Sequence, residues 1–173
     1  MRRLLIVIDM QNDFIDGALG TPEAEAIVPA VADKIRSYPS ADVFATRDTH
    51  PENYLETQEG KNLPVPHCIA GTKGWEIAPS LAPLIPEDHV FDKPTFGSTD
   101  LAAFLAAENR KAPLELELVG LCTDICVVSN ALLLKAVMPE VPITVDSACC
   151  AGVTPEKHAA ALATMQSCQI QVK

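Results

Sequence analysis

The chain has 173 residues, of which 48% are hydrophobic and 21% charged, with a formal net charge of −10. That length suits one domain with a substantial core, and the acidic balance argues against nucleic acid or an anionic membrane surface as a partner. No apolar stretch approaches the roughly 20 residues of a membrane span. Met1, Arg2 and Arg3 precede only five apolar residues before Asp9, too few for a signal core, and the six cysteines (68, 122, 126, 149, 150, 168) form no C-x-x-C pair. The expectation is a single domain over residues 1–173, cytoplasmic, with reduced thiols.

Leu4–Ile8 is an unbroken aliphatic run, as expected of a strand buried on both faces, and it ends at Asp9. From Pro22 to Tyr38 the residues Ala26, Ile27, Ala30, Val31 and Ile35 recur at helical spacing, with Glu23 and Glu25 in the first turn. Asp42–Thr46 predicts a second strand, closing on Arg47 and Asp48. A Pro-, Gly- and polar-rich segment follows from Thr49 to about Trp75. Loops of that length inside a domain are usually functional or disordered, and His50, Glu56, Glu59, His67 and Cys68 favour function here. His89–Phe91 predicts a short strand ending at Asp92 and Lys93, and Ser98 or Thr99 caps a helix through Leu101, Phe104 and Leu105. Leu114–Val119 predicts a strand that stops at Gly120. Val127, Val128, Ala131, Leu132 and Lys135 then mark a helix that follows at once. Ile143–Val145 is another strand. Thr154 caps an Ala-rich helix to about Ser167, with Pro155 at its first position, and Ile170–Val172 closes the chain. Strands and helices alternating in this way predict a mostly parallel sheet with helices on both faces.

Asp9, Asp48, Lys93 and the Gly120–Cys126 turn each follow a different predicted strand. In an open parallel sheet such positions share one edge, where ligands bind at the topological switch point. Cys126 falls in the first turn of its helix, where free backbone N–H groups and the macrodipole favour negative charge. Its thiol is therefore expected to be partly ionised near neutrality, with Thr123 or Asp124 as N-cap. Singly, each residue has a plainer reading: Cys126 as a small core residue, Asp9 as a loop carboxylate, Lys93 as a solvated lysine. Together they supply a nucleophile, an acid/base group and a cation. Cys126 attacks a carbonyl carbon, Asp9 moves the proton, Lys93 holds the thiolate, and backbone amides around Cys122 and Cys126 form an oxyanion hole. A serine hydrolase is disfavoured, because no G-x-S-x-G elbow is present.

A second constellation is Asp48-x-His50 with His67 in the long segment. Imidazole and carboxylate together suit zinc, iron or manganese, and Glu59 or Glu56 could supply a fourth ligand. The plainer reading is two histidines on a surface loop. The helix running from Cys126 to Met138 is apolar on more than one face, which fits either deep burial or a subunit contact.

Val7–Phe14, Arg47–His50, Pro66–Gly71, Asp92-Lys93 with Phe96–Ser98, Gly120–Cys126, Asp146–Cys149 and Thr154–His158 carry a resemblance. In these motifs the chain resembles the isochorismatase-like cysteine hydrolases, most of all their nicotinamidase branch. The resemblance implies a three-layer α/β/α fold on a six-stranded sheet and an Asp9–Lys93–Cys126 triad. It further implies a non-proline cis bond between Leu121 and Cys122, with the Cys122 amide in the oxyanion hole. Phe14, Phe96 and Leu121 would face the substrate, and Asp48, His50 and His67 would hold a metal that binds its pyridine nitrogen. The implied reaction converts nicotinamide to nicotinate and ammonia, in a homo-oligomer. Two positions depart from the branch: Pro64, preceded by Leu63, stands where an aromatic residue is frequent, and Thr49 where Trp is. The rivals are another small-amide or carbamoyl hydrolase without metal, and a non-catalytic binding protein on the same fold.

Overall fold

In the computed structural model, which describes residues 1–173, Leu4, Ile6 and Ile8 of strand β1 (Arg2–Ile8) belong to one hydrophobic core. Leu5 and Val7 belong to another on the opposite face. A strand with two dry faces needs cover on both sides. Helix α2 (Pro22–Arg36) covers the face of Leu5 through Ile27, Val31 and Ile35. Helices α4 (Thr99–Lys111), α5 (Val128–Val137) and α6 (Pro155–Ser167) cover the other through Leu101, Leu105, Leu134 and Met165. Short helices α1 (Asn12–Ile15) and α3 (Gln58–Asn62) lie in the connections. The hydroxyls of Ser98 and Thr154 accept from the amides of Leu101 and Lys157 as expected, and Thr21 does the same for Ala24, each cap worth about 1 kcal/mol.

The other strands are β2 (Val43–Asp48), β3 (Val90–Lys93), β4 (Leu114–Leu121), β5 (Ile143–Ala151) and β6 (Gln171–Val172). They lie in the order β3-β2-β1-β4-β5-β6 with every pairing parallel, which gives the six-stranded, three-layer α/β/α architecture. Strands β2 and β3 run further than the sequence pattern predicts and end paired, Asp48 beside Lys93. Strand β5 is also longer, because its register against β4 jumps at a bulge, from Val145 opposite Leu118 to Cys150 opposite Gly120.

Chain order reverses between β1 and β4, so the residues leaving those strands flank the switch point. Gly120 makes the approach possible. Its φ is 121°, and a Cβ there would lie 2.1 Å from the Ile8 carbonyl oxygen. Ala131 and Leu134 of α5 are buried in the core, Val128, Leu132 and Leu133 are partly buried against it, and Val137 is 46% exposed. No helix is long and apolar enough to cross a membrane.

One charged side chain sits inside the α2 layer. Glu117, 1% exposed, accepts from Lys34 (2.9 Å), Tyr38 (2.6 Å) and Arg3, and pairs with Lys173 (2.8 Å). Burial would push its pKa up, but the hydrogen bonds from Lys173, Tyr38 and Lys34 outweigh it and bring the value from 4.5 to about 2.

Candidate active site

All the strands point the same way, so Asp9, Asp48, Lys93 and Cys122–Cys126 meet at the carboxyl edge of the sheet. Asp9 is fully buried with φ at 45°, a left-handed conformation uncommon for a residue with a side chain. Its amide donates to the Thr46 carbonyl, and its Oδ1 accepts from the Thr46 hydroxyl at 2.7 Å. Oδ2 lies 2.7 Å from Lys93 Nζ as an ion pair, and a carboxylate oxygen so paired still has a lone pair with which to take a proton.

Lys93 is the hub. Its Nζ, almost inaccessible, donates to the Thr95 carbonyl (3.1 Å) and to Cys126 Sγ (3.4 Å), and stands 3.5 Å from Asp48 Oδ1. Burial alone would push this amine down. The Asp9 and Asp48 carboxylates push it up by more, so it stays an ammonium. Burial pushes Asp9 up, Lys93 opposes that, and Asp48 adds to it.

The turn that carries Cys126 differs from the expected helix start. Thr123–Val127 is a π-helical turn, and the Cys122 carbonyl accepts from both Ile125 (3.0 Å) and Val127 (3.1 Å). Neither Thr123 nor Asp124 caps it. The Thr123 hydroxyl bonds to His158 Nδ1 (2.8 Å), and Asp124 accepts from the Val153 amide (2.9 Å), so both side chains anchor the turn to the start of α6. The Leu121–Cys122 bond is cis, and the Cys122 amide makes no hydrogen bond to backbone. The expectation of a partly ionised Cys126 is overturned. At 4% exposure, burial and then the neighbouring Asp9 carboxylate push the thiol well above its ordinary value, and Lys93 only partly offsets them. Helix-terminus stabilisation is worth up to about 2 kcal/mol, too little to reverse such desolvation. Cys122 is likewise pushed up, to about 12, chiefly by burial.

Cys126 and Cys122 line a cavity of about 370 Å³ whose walls include Phe14, Leu63, Phe96 and Ile125. Phe14 is buried and tilted against His67, and Phe96, 47% exposed, forms the rim. Leu121 does not face this cavity. It is fully buried in the core and borders a smaller adjoining one of about 260 Å³. Leu121 follows Val119, two positions earlier in β4, into the core on the α2 face.

Across the cavity stand Asp48, His50 and His67, all buried, with one potential ligand atom from each within 4.8 Å of the others. His50 Nε2 is 2.9 Å and His67 Nε2 3.6 Å from Asp48 Oδ2. Glu59 Oε1 reaches both imidazoles at 3.6 and 3.7 Å, whereas Glu56 pairs with Asn53 on the surface. His67 Nδ1 donates to the Val65 carbonyl at 2.8 Å, so the Nε2 that faces the cluster is the nitrogen left to ligate a metal in the neutral ring. Hydrogen bonds from His50 and His67 overcome burial and hold Asp48 well below the usual carboxylate range. Two imidazoles that can give up their Nε2 protons to a metal, beside an ionised carboxylate, fit zinc, iron or manganese.

Several residues that shape the site were not singled out from the sequence as site residues. The Gln11 side chain accepts from the Asp48 amide and donates to the Asp48 carbonyl, continuing the sheet ladder past the end of β1. Asp13 accepts from the Cys68 amide (2.8 Å), fixing the residue after His67, itself at φ 46°. Tyr54, fully buried, sets its ring edge-on to both histidines at 4.8 and 5.0 Å. A parallel bridge between His50 and Ile69 closes the long segment back onto its own start, just past β2. Gln11 and Asp13 lie inside the Val7–Phe14 motif, which was their one visible signal.

A model of the isochorismatase domain matches residues 3–172. The chain belongs to the isochorismatase family. A nicotinamidase/pyrazinamidase of Mycobacterium tuberculosis is 29% identical over 98% of this chain and 97% of its own. An uncharacterised isochorismatase family protein of Bacillus subtilis is 34% identical over 94% and 93%. The crystal structure of Pyrococcus horikoshii pyrazinamidase in complex with zinc superposes with a TM-score of 0.80, at 32% identity, covering 100% of this chain and 99% of that one. This member of the isochorismatase family is a hydrolase acting on amides.

Proposed function

We propose that this hydrolase is a cysteine-dependent nicotinamidase, converting nicotinamide to nicotinate and ammonia, with Cys126 as nucleophile, Asp9 as acid/base and Lys93 as the stabilising cation. One observation carries the reading. Lys93 Nζ contacts both Asp9 (2.7 Å) and Cys126 (3.4 Å), and the cavity that Cys126 opens into is also lined by Asp48 and His67 of a metal-ready cluster. The relatives named for nicotinamide and pyrazinamide, and the zinc held by one of them, point the same way.

Because the resting thiol is protonated, deprotonation accompanies attack. The Asp9 carboxylate takes the thiol proton as Sγ bonds to the carboxamide carbon, and the Lys93 ammonium compensates the charge on sulfur. The amides of Cys122 and Cys126 meet the developing oxyanion; one such donor is worth about 3–4 kcal/mol in comparable acyl transfers. Asp9 returns the proton to the leaving nitrogen, and ammonia departs. A water that gives a proton to Asp9 then cleaves the thioester, freeing nicotinate and the thiol. Phe14 and Phe96 offer apolar walls to a planar ring, and Asp48, His50, His67 and Glu59 would hold zinc, iron or manganese. When bound, such an ion supplies Lewis acidity toward a ring nitrogen. The six free cysteines suit a reducing compartment, in line with a cytoplasmic enzyme.

Ammonia release across nicotinamide, pyrazinamide, biuret and simple aliphatic amides, with elemental analysis of protein purified without chelator, tests the proposal. A preference for the two heteroaromatic amides together with a bound transition metal is expected. Equal or better turnover of biuret by metal-free protein would replace it with a metal-independent carbamoyl hydrolase.

A further inference from the structure

Asn130, buried in the first turn of α5, reaches across the seam between that helix and the segment that follows β3. Its Nδ2 donates to the Cys126 carbonyl (2.8 Å) and to the Phe96 carbonyl (3.2 Å), and its Oδ1 accepts from the Ser98 amide (2.9 Å). Asn is a middling helix former, so propensity does not explain its place there. Satisfying the Cys126 carbonyl does not explain it either, because a Ser or Thr four residues on can do that. Only a side chain with both donor and acceptor at its tip serves the helix and the segment together.

That segment anchors Lys93, whose ammonium donates to the Thr95 carbonyl (3.1 Å), and it carries the Phe96 ring on the cavity rim. A closed ring of contacts therefore runs from Lys93 through Thr95 and Phe96 to Asn130 and Cys126. It returns to Lys93 by the 3.4 Å contact between Nζ and Sγ. The seam is tight at a second point, where a Cβ on Gly97 would lie 3.2 Å from the Ser129 carbonyl oxygen and 3.3 Å from Leu133 Cδ2.

We propose that Asn130 is a positioning residue that sets the separation of the Cys126 thiol and the Lys93 ammonium by locking the helix of one to the segment that anchors the other. The inference rests on the reading of Cys126 as nucleophile. The reacting atoms lie on separate elements, β3 and the turn after β4, so their alignment depends on such a brace. Misplacement by about 1 Å can cost on the order of 100-fold.

The test compares wild type with Asn130→Thr, which keeps a donor for the Cys126 carbonyl but cannot span the seam, and with Gly97→Ala, which wedges the seam open. Three readouts are taken: kcat and KM for nicotinamide, the rate of Cys126 alkylation by iodoacetamide followed on its peptide by mass spectrometry, and the thermal midpoint. Asn130→Thr is expected to lower kcat by roughly 10–100-fold and to slow Cys126 alkylation in parallel, with KM within about threefold. Gly97→Ala should move both in the same direction by less. A folded Asn130→Thr that loses thermal stability yet keeps kcat and alkylation within about twofold of wild type would reduce Asn130 to a structural residue and overturn the inference. Should Asn130→Thr not fold, Gly97→Ala decides by the same readouts. If wild type releases ammonia from no amide, the nicotinamidase reading fails on its own, and the alkylation rates still decide the role of Asn130.

Discussion

Lys93→Met keeps the length of the stem and removes the one positive charge between two buried carboxylates. At an effective dielectric of about 20, the attraction to Asp9 at 2.7 Å is about 6 kcal/mol and that to Asp48 at 3.5 Å about 5 kcal/mol. Desolvation of the ammonium offsets much of this, and breaking a buried pair from one side costs about 3–5 kcal/mol net. With a urea slope of about 2 kcal/mol per molar, the midpoint should fall by roughly 2 M. The sign with pH is specific. Asp9 is already pushed up by burial, and losing Lys93 raises it further above its unfolded value. An ionised Asp9 is then penalised only in the fold, so the deficit grows as pH rises above the ordinary carboxylate range, about 4, and shrinks below it. Urea unfolding of chelator-treated wild type and variant at pH 5 and pH 8 measures this, chelation keeping any metal at Asp48 from compensating. An unchanged midpoint at pH 8, or a deficit larger at pH 5 than at pH 8, would refute the assignment of Lys93 as the compensating charge.

Cys126→Ala should abolish ammonia release while the thermal midpoint stays within a few degrees of wild type, whereas single replacement of Cys168, exposed at the end of α6, should leave turnover intact; residual turnover in Cys126→Ala would move the nucleophile elsewhere. Chelation, and His67→Ala without it, should each raise KM for nicotinamide more than they lower kcat, with Cys126 still alkylated by iodoacetamide; an unchanged KM in metal-depleted protein would take the cluster out of substrate binding. Glu117, depressed from 4.5 to about 2, contributes stability that is complete above its unfolded value and lost as pH falls toward 2, about 2–3 kcal/mol after screening of the exposed Arg3 and Lys173. Glu117→Gln should therefore be less stable than wild type at pH 7 and converge with it near pH 2, read by urea unfolding across that range; parallel curves would assign the depression to some other group.

The alternation of aliphatic strands with helical spacing was enough to predict a parallel sheet, and a parallel sheet places every strand end on one edge. Asp9, Asp48, Lys93 and Cys126 could therefore be grouped from the sequence, because each ends or follows an apolar run and the grouping depends on local pattern and direction alone. His50 and His67 were legible as residues of metal-ligand type. Their grouping with Asp48 was legible too; the contacts that hold them together, the His50–Ile69 bridge, Asp13 on Cys68 and Tyr54 edge-on to both rings, were not. The protonation of Cys126 was misread for the same reason. Position in a helix turn is local, but a pKa is the sum of burial and of charges arriving from β1, β2 and β3, and here those outweigh the helix. The turn itself is π-helical, its Thr123 and Asp124 bonded to residues about 30 positions later in place of capping it, and Leu121 turned inward with the alternation of β4. Local sequence determined which residues end the strands. Which of them touch, and which hold protons, was decided by contacts between elements far apart in the chain.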